Sequence, residues 1–120
     1  MDSNKSDSIL NKNSKTVINQ LIDSMNELAI IESIINNKFN SDLERINAIA
    51  SYLLKLGGKR IRPTLCLLIW KTFSKEKPSD KLLETAAGIE LIHMATLLHD
   101  DIIDNSPLRR SQISPFKKYG

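Results

Sequence analysis

Asp100, Asp101 and Asp104 stand within five residues of one another, in the run His99-Asp100-Asp101-Ile102-Ile103-Asp104. Carboxylates crowded in this way repel each other, and the apolar stretch before them makes their desolvation costly. A structural role requires neither penalty, whereas a bound cation relieves both. Oxygen donors are hard ligands of the kind Mg²⁺ takes, commonly one or two carboxylates with waters and substrate phosphates completing the octahedron. The alternative is a solvated acidic helix end, but negative charge at a helix C-terminus opposes the helix dipole.

At 100° per residue, His93 and Asp104 fall within about 60° of Asp100, so the three share one face of a helix. Asp100 and Asp104, one turn apart, form the clamp and are the candidate metal ligands. His93 lies two turns earlier, about 10 Å back along the axis; a core histidine is the alternative for it. Asp101 points about 100° away from Asp100 and suits a supporting or capping role. His99 is also off the face and suits a structural hydrogen bond.

Basic residues flank this helix in sequence. Gly57-Gly58-Lys59-Arg60-Ile61-Arg62-Pro63 puts three cations in a turn leading into a helix N-terminus, where free N–H groups and the dipole already favour an anion such as diphosphate. A solvated Lys/Arg turn is the plainer reading of that segment alone. Arg109-Arg110 follows the aspartates after a short loop and sets cations beside carboxylates, a mixture that fits a metal-bridged phosphate.

The elements that must carry these groups are helical. Val17, Leu21, Met25 and Leu28, with Ile18, Ile22 and Ile31 beside them, give helical spacing from Val17 to about Asn37. Ser41 with Glu44 forms a capping-box pattern ahead of a helix through Ile46, Ile49, Ala50, Leu53 and Leu54, stopped by Gly57-Gly58. Pro63 belongs to the first turn of the next helix, which reaches about Ser74. After the polar turn Lys75 to Pro78, Ser79 or Asp80 caps a long helix to about Asp104, and Pro107 ends the pattern. Ser106 to Gly120 reads as loop. With period 3.6 throughout, the fold class is all-α.

The 120 residues are 41% apolar and 26% charged, enough for one small domain with a core. Met1 to Thr16 is rich in Ser, Asn and Lys and is expected to be a disordered tail, with the domain over residues 17–120. The net charge of +3 is spread along the chain, which argues against nucleic acid as partner. The single cysteine, Cys66, rules out an intramolecular disulfide and any multi-cysteine metal site within the chain. Neither a signal-peptide pattern nor a stretch long enough to span a bilayer is present, so a soluble protein is expected. Frequent Asn, Lys and Ile point to an AT-rich genome, and hence to a bacterial cytoplasm or to an organelle stroma or matrix.

Taken in order, Gly57 to Pro63, then Glu90-Leu91-Ile92-His93, then Leu97 to Asp104, then Arg109-Arg110 resemble the trans-isoprenyl diphosphate synthases, also called polyprenyl synthetases. The resemblance covers roughly Leu28 to Gly120. It implies the first helices of an isoprenoid synthase bundle, a homodimer or a partner subunit, and addition of isopentenyl diphosphate to an allylic diphosphate with Mg²⁺ as cofactor. It further implies that Asp100 and Asp104 ligate Mg²⁺ bridging the allylic diphosphate, which Arg109 also contacts. Lys59, Arg62, His93 and Arg110 match positions that hold isopentenyl diphosphate. Family members read product length from bulk just upstream of these aspartates; Ala95 and Thr96, after Met94, are small, which implies products longer than farnesyl, of the kind delivered to a membrane.

Two departures qualify the resemblance. After the paired arginines the family reads Gly-x-Pro-Thr and then Asn, where this chain has Ser111, Ile113, Ser114 and Phe116. Members also carry a second aspartate-rich motif on later helices, whereas no Asp or Glu follows Asp104 here. The chain therefore reads as the N-terminal portion of a synthase, inactive alone and with apolar faces uncovered. The alternative is a non-catalytic helical subunit that binds or regulates a full-length synthase.

Overall fold

The computed structural model describes residues 3–120. Helix α1 (Ser3–Lys38), α2 (Glu44–Lys55), α3 (Ile61–Phe73) and α4 (Asp80–Ile103) are followed by strands β1 (Leu108–Arg109) and β2 (Gln112–Ile113) and a short helix α5 (Pro115–Tyr119). The core lies where α4 packs on α1 and α3. It consists of Ile31 and Ile35 from α1, Leu67 from α3, and Leu83, Ala86, Ala87 and Met94 from α4. The two alanines, both at most 1% exposed, let the helices approach closely, while Ile31, Ile35 and Leu67 supply the volume.

Helix ends follow local chemistry. The Ser79 side chain accepts a hydrogen bond from Leu82 N–H at 3.2 Å and caps α4 as its sequence predicts. α2 stops where Gly57 takes φ +72°, a conformation that side chains disfavour. Its start differs from the expected capping box. Leu43 is the N-cap residue, and the Ser41 hydroxyl instead accepts from Leu43 N–H at 3.2 Å. Asn47 closes that turn by accepting from Ser41 N–H at 2.9 Å and donating to Ser41 C=O at 2.7 Å. An amide six residues on, which can donate and accept at once, does the work assigned to Glu44.

Two segments depart from expectation more broadly. α1 continues back to Ser3, across a stretch expected to be a disordered tail; Met1 and Asp2 lie outside the described residues. The segment has no Gly or Pro to stop the helix that the buried Ile31 and Ile35 anchor, and its described side chains from Asn4 to Asp23 are exposed. The stretch from Ser106, read as loop, contains an antiparallel pair with Leu108 opposite Ile113 and Arg109 opposite Gln112. Arg110 and Ser111 make its two-residue turn with φ of 51° and 63°, the geometry that matches strand twist in tight hairpins. Strands this short carry no period-2 signal. The architecture remains helical.

Candidate active site

Helix α4 carries the acidic residues on two adjacent stripes. Glu90 and Asp101 are each 3% exposed and stand eleven residues apart. Eleven residues are close to three turns, so the two share the core face within about 20° and lie about 16 Å apart along the axis. His93, Asp100 and Asp104 form the neighbouring stripe, where His93 is half-buried and both aspartates are exposed. A buried carboxylate needs a partner, and each of the two finds an arginine brought in by a loop.

Glu90 meets Arg60, whose Nη1 donates to Glu90 Oε1 at 3.3 Å. The same guanidinium donates from Nε and Nη2 to Glu32 Oε2 and Oε1 of α1, at 2.7 and 2.8 Å. This two-point pairing is the geometry that arginine matches to a carboxylate. Hydrogen bonding from Arg60 holds the Glu32 carboxyl below the usual glutamate range, against the opposing effect of burial. Arg60 has φ +52° and ends the Gly57–Gly58 turn, and its carbonyl accepts from Thr64 N–H and the Thr64 hydroxyl at 3.1 and 2.7 Å. Its sequence neighbours Lys59 and Arg62 are exposed and have no ion pair among the described residues.

Asp101 meets Arg109, whose Nε donates to Asp101 Oδ2 at 2.7 Å while Nη2 donates to Oδ1. The hydrogen bonds that Arg109 donates to Asp101 raise the Arg109 pKa, and the nearby Asp100 charge adds to the effect. The supporting role expected for Asp101 is therefore met through a side chain eight residues later in sequence. Arg109 reaches back because the chain reverses behind α4: Asn105 takes φ +52°, Ser106 N–H donates to Asp101 C=O at 3.0 Å, and the hairpin follows. Ser114, fully buried, closes the loop by donating its hydroxyl to Ser106 C=O at 2.7 Å. The departure from the family pattern thus keeps a hydroxyl where the family has threonine, and Ser111 takes the positive φ where the family has glycine.

At the end of α4, the Asp100 charge acts on Arg109, and Asp104 follows Asp100 by one turn. Asp104 is the C-cap residue, its N–H donating to Asp100 C=O at 2.8 Å. No ion pair among the described residues joins Lys59 or Arg62 to these aspartates. His93 accompanies Glu90 rather than the aspartates, and no group of three or more His, Cys, Asp or Glu side chains able to hold a metal occurs among the described residues. His99 is exposed and makes no side-chain hydrogen bond there, unlike the structural role expected of it. Arg110 turns toward α2 and α5, into a cleft it shares with Lys55, Lys118 and Tyr52. Lys118 Nζ lies 4.0 Å from the centre of the Tyr52 ring, a cation–π contact.

Sequence reasoning missed Glu32 and the role of Glu90, and it set Arg60 with the cations disposed toward an anion, whereas Arg60 is paired with these two carboxylates. An uninterrupted apolar pattern around Glu90 was the available signal, because a lone acid on a core face implies a cation across from it. On the other side of α4, Ala95 lines an apolar cavity of about 270 Å³ with Phe39, Ile46, Ile49, Leu53 and Leu98. Met94 points into the core instead, and the Thr96 hydroxyl is tied to His93 C=O at 2.7 Å. No helix is long and apolar enough to cross a membrane among the described residues.

Known proteins resemble this chain in sequence and fold. Octaprenyl diphosphate synthase of Escherichia coli is 37% identical over 94 residues, which are 78% of this chain and 28% of that protein. A prenyl transferase of Cyanidium caldarium is 37% identical over 109 residues, 90% of this chain and 32% of the relative. The crystal structure of heptaprenyl diphosphate synthase from Staphylococcus aureus superposes with a TM-score of 0.74 at 36% identity, covering 79% of this chain and 30% of that one. The chain thus spans about a third or less of the length of these relatives. The sequence model for polyprenyl synthetase matches residues 43–120, from the start of α2 through the basic turn and the acidic helix end, and the chain belongs to the polyprenyl synthetase family.

Proposed function

We propose that this chain supplies the part of a prenyltransferase active site that binds an allylic diphosphate through Mg²⁺ and isopentenyl diphosphate through the basic turn. The observation that carries this reading is the division of labour at the end of α4. Asp101 is occupied by Arg109, while Asp100 and Asp104, one turn apart, are left exposed beside that arginine. Two free carboxylates are too few for a protein-only metal cage and fit an ion that shares its coordination with substrate phosphates. When bound, Mg²⁺ neutralises the charge that builds on the departing diphosphate. Arg109 keeps Nη1 free of Asp101 and can donate to the same phosphate.

Lys59, Arg62, His93 and Arg110 are proposed to hold isopentenyl diphosphate, and the exposure of Lys59 and Arg62 without carboxylate partners supports this. Fixed cations aimed at developing charge lower the barrier without reorganising during the reaction. The allylic carbon loses its diphosphate, the isopentenyl double bond attacks that carbon, and a proton leaves the adduct. The small side chains of Ala95 and Thr96, just upstream of Asp100, support room for a growing chain beyond farnesyl. The names of two relatives, heptaprenyl diphosphate synthase component 2 of Geobacillus stearothermophilus and of Bacillus subtilis, support a partner subunit as well as a homodimer.

The test measures incorporation of labelled isopentenyl diphosphate by the full-length gene product that carries this sequence. Asp100→Asn and Asp104→Asn should each lower kcat/KM by about a hundredfold or more, the scale on which loss of one charge-stabilising group is felt, with Tm unchanged. Products should exceed farnesyl. Activity within a few-fold of the parent in both variants would overturn the assignment of the aspartates. The isolated 120-residue chain is expected to show no turnover, and a pull-down with an intact synthase in which both variants keep their effect on neither partner would favour the non-catalytic subunit.

A further inference from the structure

We propose that Glu90, with Glu32, is a positioning residue: it fixes Arg60 so that the turn presents Lys59 and Arg62 together to one diphosphate. This rests on the reading of that turn given above. Of the three cations in Lys59-Arg60-Ile61-Arg62, the middle one is withdrawn from solvent, its side chain only 14% exposed, and takes three hydrogen bonds to two carboxylates on two different helices. The flanking cations stay exposed and unpaired among the described residues. Arg60 is pinned through its backbone as well, since its carbonyl holds the first turn of α3. A turn tethered by both the side chain and the carbonyl of one residue has little freedom to reorient the residues on either side.

The pairing is imperfect as a device for stability alone. Glu90 is 3% exposed, and its Oε2 has no hydrogen-bond partner among the described residues. A buried ion pair with an unsatisfied oxygen is readily matched in stability by apolar side chains of similar size. What apolar replacements do not reproduce is direction: Arg60 Nη1 lies against Gly58, where a Cβ would come within 2.7 Å of it. A side chain at Gly58 would require the end of that guanidinium to shift, so the glycine leaves room for the position in which Arg60 meets Glu90. Glu90 stands one turn from His93 on α4, so the same contact ties the turn to the helix that bears His93, another proposed contact to isopentenyl diphosphate.

The inference is tested in the full-length gene product by measuring KM for each substrate, kcat and Tm. Glu90→Gln should raise KM for isopentenyl diphosphate by about tenfold, with kcat and KM for the allylic diphosphate within about twofold of the parent. A triple apolar variant, Glu32→Met with Arg60→Met and Glu90→Met, should show the same KM rise while keeping the parent Tm, which separates positioning from stability. An unchanged KM in both variants overturns the inference, as does a KM rise shared equally by the two substrates. Lys59→Ala and Arg62→Ala serve as the control for the underlying reading. If they raise KM for isopentenyl diphosphate and Glu90→Gln does not, only the positioning role falls. If they leave it unchanged, the diphosphate reading of the turn falls with it.

Discussion

Asp101 keeps both oxygens on Arg109 at 3% exposure, whereas Asp100 beside it faces solvent, so removal of each carboxylate reports on a different property. Asp101→Ala strands Arg109 and should destabilise the fold by roughly 2 kcal/mol in urea unfolding. This lies below the 3–5 kcal/mol of a fully buried pair, because the Arg109 side chain is 24% exposed. Asp100→Ala should cost less than about 0.5 kcal/mol, as surface substitutions usually do. A comparable loss in both would contradict the separation of roles. Helical periodicity made the different direction of Asp101 legible in the sequence. Its partner was not legible, because Arg109 arrives through a reversal in which Asn105, Arg110 and Ser111 all take positive φ, a conformation that residue type signals at Asn105 but not at Arg110 or Ser111.

Among the elements, the contact of α1 with the turn before α3 has a defined acid limit. The folded Glu32 carboxyl titrates below its unfolded range because Arg60 hydrogen-bonds its charged form. A depressed carboxyl contributes stability above its unfolded pKa, about 4.3, and loses it progressively as pH falls through the folded value. Tm should therefore fall below about pH 4 in the parent, and Glu32→Gln should flatten that dependence while lowering Tm at neutral pH. An identical pH profile in the variant would remove Glu32 from the account. Helix positions were well read from the sequence because α4 and α3 are bounded by strong signals, Ser79 and the Gly57-Gly58 pair. The cap of α2 was misread: Asn47 outcompetes Glu44 for the same backbone groups, and both choices satisfy them. Ser3–Thr16 was misread because composition reports the absence of packing and says little about a helix that extends outward from a packed end.

For the molecule as a whole, the accessible surface is 9067 Å², where a compact monomer of 13.6 kDa exposes about 6,600 Å². Its radius of gyration is 19.6 Å, against about 14 Å for a compact domain of this length. The excess resides partly in a stripe of α1, where Val17, Leu21 and Met25 are 54, 60 and 69% exposed. The sequence displayed these residues at helical spacing, as a face that packs, and that face is uncovered in the 120-residue chain. The isolated chain should bind a hydrophobic dye and self-associate, with sedimentation coefficients that rise with concentration. A concentration-independent monomer without dye binding would refute this.

The two buried acids of α4 also make that helix a ruler for insertions and deletions. One residue added or removed between Glu90 and Asp101 would rotate the anchors by about 100° relative to each other, turning one off the core face and leaving its arginine behind. Substitutions between them face no such demand so long as they suit the helix. Across natural variation, the positions from Leu91 to Asp100 other than His93, Ala95, Thr96 and Asp100 should therefore drift in sequence while the segment keeps its length, and a length change would be accommodated only in steps of whole turns.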